Sequence, residues 1–154
     1  MVITQQVRAE DLEKVQEAYK GETFHKVELQ SFFTDMPERI AKAHLVISRS
    51  GSSSLAELAI IGRPSILVPL PIAADDHQTR NAQCFADRSA AWLMVEKDFT
   101  TQSLASRLED LMGQPDLLKR VADTAHKLGQ PQAAQKLADI VFPQKETGQK
   151  LKKE

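Results

Sequence analysis

The sequence predicts an α/β fold, a Rossmann-like parallel sheet with helices on both faces, and three observations carry this. Short β-branched runs alternate with stretches of helical period along residues 2–95. Two of those runs, 44–48 and 65–69, are largely apolar, as strands covered on both faces are. Each run is followed by a polar turn and a helical pattern, which calls for right-handed crossovers between parallel strands.

The elements follow in order. Residues 2–7 have strand character, and Glu10, Asp11 and Glu13 then open a helical stretch carrying Leu12, Val15, Ala18 and Tyr19 until Gly21 stops it. A second strand over 24–29 leads through a loop to a helix over 36–43, with Pro37 in its first turn, where a missing N–H costs nothing. The strand at 44–48 passes through the small-residue turn 49–53 into a helix over 54–61, ended by Gly62. A strand at 65–69, a loop at 70–76 and a helix over 77–87 come next, then a last strand at 91–95. Helices are expected over 100–112, 115–128 and 132–141. The tail 143–154, with Lys145, Lys150, Lys152 and Lys153 and few apolar residues, reads as a polar, disordered end.

At 154 residues the chain suffices for one domain and is too short for two with a cleft between them. Twenty Lys+Arg against 21 Asp+Glu leave a net charge of -1, which removes the electrostatic argument for a nucleic-acid partner. The single Cys84 excludes an internal disulfide and a cysteine zinc site, and it fits a reducing, cytoplasmic compartment. No stretch approaches the roughly 18 consecutive apolar residues of a membrane span, and the charged first twenty residues are unlike a signal peptide.

Ligands of such sheets bind outside the carboxyl ends of the strands. Three loops there carry candidates. In the first, Arg49-Ser50-Gly51-Ser52-Ser53-Ser54-Leu55-Ala56-Glu57, a strand turns through glycine into a helix whose free N–H groups suit a phosphate. Ser54 and Glu57 also match a capping box, so Glu57 either returns a bond to the Ser54 N–H or accepts from a vicinal diol such as a ribose. The second loop offers Asp75 or Asp76 as helix cap, then Gln78 and Asn81 on one helix face, placed to read sugar hydroxyls. Adjacent Asp75, Asp76 and His77 do not have metal-ligand spacing, and neither a metal nor a cofactor is expected. The third loop presents Phe32 and Phe33 after a strand, as core or as the border of a flat ligand.

The motifs S-R-S-G-x-x-x-x-x-E, G-R-P-x-x-L-V-P and D-x-H-Q-x-x-N-A, in this order within 32–94, resemble the carboxyl-terminal domain of the MurG family. These are the UDP-N-acetylglucosamine–N-acetylmuramyl-(pentapeptide) pyrophosphoryl-undecaprenol N-acetylglucosaminyltransferases of bacterial peptidoglycan synthesis, two-domain GT-B enzymes of glycosyltransferase family 28. The resemblance extends over residues 2–142 and implies a UDP-N-acetylglucosamine donor, with lipid I as acceptor on the other domain. It implies that the backbone at Phe33 meets the uracil edge, that Ser52, Ser53, Ser54 and Leu55 lie along the diphosphate and sugar, and that Glu57 binds the ribose. His77, Gln78 and Asn81 would then contact the N-acetylglucosamine. It also implies action at the cytoplasmic face of the membrane.

The family pattern departs from this chain in two respects. The amino-terminal domain that binds the acceptor and supplies the base is absent, so no catalytic residue is assigned here. The family domain also starts with a strand, a Gly-Gly-Ser loop and a helix, and this chain starts after them. If the strand order is 3-2-1-4, the unit not represented is central. Expected consequences are poor folding alone, direct pairing of the strands at Val2 and His44, or a partner chain or second copy completing the sheet. The chain therefore reads as a fragment or truncated product of such an enzyme, with two alternatives: a non-catalytic UDP-sugar-binding subunit of a split glycosyltransferase, and a ligand-free interaction domain.

Overall fold

The computed structural model describes residues 1–71 and 76–142; the sequence readings of Asp75 and of the tail 143–154 fall outside them. Five strands and seven α-helices alternate as expected: β1 (Val2–Gln6), α1 (Leu12–Tyr19), β2 (Lys26–Gln30), α2 (Met36–Lys42), β3 (Val46–Ser48), α3 (Ser52–Ile61), β4 (Ser65–Leu67), α4 (His77–Ala86), β5 (Trp92–Leu93), α5 (Thr101–Met112), α6 (Pro115–Leu128) and α7 (Ala133–Val141). Every strand pairing among them is parallel.

The strands form two sheets, β1-β2 and β3-β4-β5. In the first, Val2 faces Lys26 and Gln6 faces Gln30, and the Val7 N–H continues the ladder to the Gln30 carbonyl at 2.9 Å. Its crossover helix α1 is tied back by Tyr19, whose hydroxyl donates to Gln5 Oε1 at 2.9 Å and whose ring meets Phe24 edge-on, 5.6 Å between centroids. Gly21 then turns the chain at φ +84°, a conformation that costs a residue with a Cβ.

The second sheet holds most of the core. β4 is buried along its whole length, as a central strand covered on both faces must be. On one face Leu67, Leu93 and Val46 pack with Leu55 and Leu58 of α3, Ala82 and Phe85 of α4 and Ile40 of α2. On the other, Ile66, Trp92 and Met94 pack with Leu104, Leu108 and Leu111 of α5 and with Leu117 and Leu118 of α6. Helices thus cover both faces of this sheet, as the alternation of the sequence requires.

Two expectations are revised. The single sheet is divided, and the strand at Val2 does not pair with that at His44: β1 and β3 share no ladder, and each is an edge strand of its own sheet, as the two edges beside a central strand not represented in the chain would be. Ile47 of β3 shows the consequence. It is the register partner of fully buried Ile66, yet it is 42% exposed. Most helix limits fall where the sequence puts them, but α3 starts at Ser52, two residues before the expected Ser54.

Candidate functional site

The candidate residues lie on three segments that each follow the carboxyl end of a strand: the loop after β2, the β3–α3 turn and the start of α4. Small residues shape the middle segment. Gly51 stands at the N-cap of α3 with extended backbone (φ −63°, ψ 148°), and the first intrahelical bond runs from the Leu55 N–H to the Gly51 carbonyl at 3.0 Å. No side chain caps this helix. The N–H groups of the first turn and the positive end of the helix dipole are therefore available to an anion. Ser52 and Ser53 are exposed there, Ser54 is half-buried, and Leu55 enters the core at 5% exposure.

The Ser54–Glu57 capping box does not form, since both residues already lie inside α3. Glu57 is exposed, and its carboxylate has no hydrogen-bond or ion-pair partner among the described residues. Of its two readings from sequence, the cap is thus removed.

The start of α4 is fastened to the β3–α3 turn. Asp76 occupies the N-cap position in the left-handed region (φ 53°) without a side-chain cap bond, and His77 opens the helix on its exposed side. Ser50, fully buried, donates its hydroxyl to the Gln78 carbonyl at 2.8 Å, while Asn81 Nδ2 donates to the Ser50 carbonyl at 3.1 Å. The Leu70 N–H donates to Gln78 Oε1 at 3.1 Å. Asn81 and Gln78, expected to face sugar hydroxyls, each give one amide atom to the scaffold.

Arg49 extends this framework. Its Nη1 donates to the Val68 and Pro69 carbonyls at 3.3 and 3.1 Å and pairs with Glu96 at 2.9 Å, so one guanidinium reaches the chain following β4 and the chain following β5. Sequence reasoning assigned no role to Ser50 or Arg49. Both stand in the S-R-S-G motif, which was the available signal.

In the loop after β2 the two phenylalanines part company. Phe32 is 69% exposed, whereas Phe33 is 4% exposed, with the Arg39 guanidinium 4.2 Å above its ring. Arg39 also pairs with Glu28 at 2.9 Å and Asp35 at 2.7 Å. The hydrogen bond from Arg39 is the main reason both carboxyls sit below their ordinary range, and those two carboxylates hold the guanidinium pKa above its own. Buried as it is, the Phe33 ring shapes the loop, and the exposed ring beside it is that of Phe32. No group of three or more metal-ligating side chains is gathered among the described residues.

Residues 1–137 match the family model described as the glycosyltransferase family 28 C-terminal domain. The chain is 54% identical over 139 residues to the UDP-N-acetylglucosamine–N-acetylmuramyl-(pentapeptide) pyrophosphoryl-undecaprenol N-acetylglucosamine transferase of Paramagnetospirillum magneticum, covering 90% of this chain and 37% of that protein. The namesake of Rhodospirillum rubrum is 50% identical over 139 residues, 90% of this chain and 36% of its own length. The chain thus spans little more than a third of these relatives. The crystal structure of Acinetobacter baumannii MurG superposes with a TM-score of 0.85 at 32% identity, covering 92% of this chain and 41% of that one. The glycosyltransferase VinC, at 18% identity and a TM-score of 0.57, shares the fold. On its sequence and on its fold alike, the chain belongs to the family 28 glycosyltransferase C-terminal domains.

Proposed function

We propose that this chain is the donor-binding part of an inverting N-acetylglucosaminyltransferase that moves N-acetylglucosamine from its UDP donor to undecaprenyl-pyrophosphoryl-N-acetylmuramoyl-pentapeptide, converting lipid I to lipid II. The observation that carries this is the uncapped start of α3 with Glu57 unpaired one turn further on. An open helix start offers N–H donors to a diphosphate, and a carboxylate without a partner offers an acceptor for two ribose hydroxyls. The two relatives named above carry this activity in their names, which supports the assignment.

In this reading Ser52, Ser53 and Ser54 line the diphosphate, with Leu55 anchoring the turn beneath them. Glu57 takes the ribose, the backbone at Phe33 takes the uracil edge, and His77, Gln78 and Asn81 take the sugar. In the reaction the acceptor hydroxyl oxygen bonds to the anomeric carbon, the bond from that carbon to the UDP oxygen breaks, and the hydroxyl proton passes to a base. The α3 dipole stabilises the charge that gathers on the departing UDP. The base and the lipid acceptor site belong to a second domain, which works at the cytoplasmic membrane face. The free edges of β1 and β3 receive a further strand, from that protein or from a partner chain.

Calorimetric titration of UDP-N-acetylglucosamine against the chain and its Glu57→Ala variant tests the assignment. Saturable binding that weakens about tenfold in the variant is expected, on the scale of a charge-assisted hydrogen bond. A folded wild type that binds no UDP-sugar overturns it.

A further inference from the structure

The structure assigns Ser50 as a positioning residue that sets the sugar preference of this site through Gln78, an inference that rests on the donor-binding reading above. Ser50 is fully buried, and its hydroxyl donates to the carbonyl of Gln78 at 2.8 Å, across 28 positions of sequence. The return bond, Asn81 Nδ2 to the Ser50 carbonyl at 3.1 Å, lies one helical turn further along α4. The two bonds lock the first turn of α4 onto the β3–α3 turn.

Gln78 is held from both ends. Ser50 fixes its backbone, and the Leu70 N–H at 3.1 Å fixes Oε1 of its side chain. The Leu70 bond fixes which way the amide points, so Nε2, a donor only, is held in one direction. A donor held in one direction recognises an oxygen acceptor at a set place, such as a sugar hydroxyl or an N-acetyl carbonyl. The β3–α3 turn that carries the phosphate-facing serines is the other partner of the same lock, so the diphosphate and sugar segments are registered to each other through Ser50, by its hydroxyl and its carbonyl. Loss of that hydroxyl removes one of the two bonds that hold the start of α4 to the β3–α3 turn and lets it shift, while the N–H groups of α3 stay where they are.

The test compares UDP with UDP-N-acetylglucosamine. The ratio of their dissociation constants measures what the sugar adds, and it is determined for the wild-type chain, Ser50→Ala, Gln78→Ala and the double variant, with thermal unfolding recorded for each. In Ser50→Ala the ratio is expected to fall about fivefold, the scale of one hydrogen bond, with UDP affinity changed less than about twofold. In the Gln78→Ala background the second substitution is expected to change the ratio no further, because Ser50 acts through Gln78. A purely structural serine would weaken both ligands alike. Where Ser50→Ala does not fold, Ser50→Cys, which keeps the volume and weakens the donor, enters the same comparison. An unchanged ratio in a folded variant, or additive losses in the double variant, overturns the assignment alone. A wild-type chain that binds neither ligand overturns the donor reading and the assignment with it.

Discussion

His126 of α6 closes over Gly62 at the carboxyl end of α3: a Cβ built on that glycine would stand 2.9 Å from His126 Cβ, and the imidazole Nδ1 lies 3.0 Å from the Ile60 carbonyl. Gly62 ends α3 in the left-handed region at φ 73°, and its N–H returns to the Leu58 carbonyl at 2.9 Å. Two separate demands therefore meet at one position. Gly62→Ala is expected to cost about 2 kcal/mol or more, roughly 1–2 from the backbone and the rest from the displaced helix. Urea denaturation measures it, and a loss under about 0.5 kcal/mol would show that α6 is not seated there.

Glu57 lies inside α3 with no partner among the described residues, so its removal should leave the fold alone. Glu57→Ala is expected to change stability by less than about 0.5 kcal/mol, where loss of a working cap would cost about 1. Chemical denaturation of the variant, run beside the ligand titration, separates the two roles. A stability loss near that of a lost cap would return the carboxylate to the helix.

Glu28 and Asp35 share Arg39, and the hydrogen bond from it holds both carboxyls below their ordinary range. A carboxyl with a lower pKa in the folded chain binds fewer protons there than in the unfolded chain, so stability rises with pH between the two values. This contribution is complete above about pH 4, the ordinary carboxylate value, and it drains away as the pH falls through the depressed ones. Arg39→Met, which keeps a stem over Phe33, is expected to flatten the acid side of the curve of melting temperature against pH. An acid limb as steep in the variant as in the wild type would rule the cluster out.

Ile47 and Ile66 are register partners on one sheet face, but Ile66 is fully buried and Ile47 is 42% exposed. Ile66→Ala is expected to cost about 3 kcal/mol and Ile47→Ala under about 1. Equal losses in guanidinium titrations would mean that Ile47 is covered in solution, by a second copy or by another chain.

Much of the fold is legible in the sequence because its punctuation is local. Gly21 and Gly62 end helices where expected, both with positive φ, and Pro37 and Pro115 stand in first turns. Local rules also misled once. Ser54 and Glu57 have capping-box spacing, yet Gly51 starts α3 earlier, whereas the real box, Thr100 with Ser103, uses a serine where the pattern asks for Glu or Gln. The β3–α3 turn, α4 and Glu57 are visible as candidates because their residue types suit a diphosphate and a sugar. The bonds from Ser50 to Gln78 and from Arg49 to Val68 are not, since they join residues 28 and 19 positions apart and leave no periodic trace. The division into two sheets falls where the family resemblance leaves a central strand unrepresented, whereas the alternation of strands and helices by itself does not say which edges meet.

That division is expected to separate the chain into parts that come undone at different free energies. No residue of β1, α1 or β2 is buried, whereas β4 is buried throughout. Amide hydrogens of the Val2–Lys26 ladder are thus expected to exchange through a local opening that leaves β3, β4 and β5 paired, and those of Ile66 and Leu67 only through global unfolding. The loop carrying Phe33 follows β2 of the less buried part, and the serine turn and α4 flank the fully buried β4. A nucleotide touching both would slow exchange in β2 far more than in β4, so its grip would be written in the protection of the weaker half.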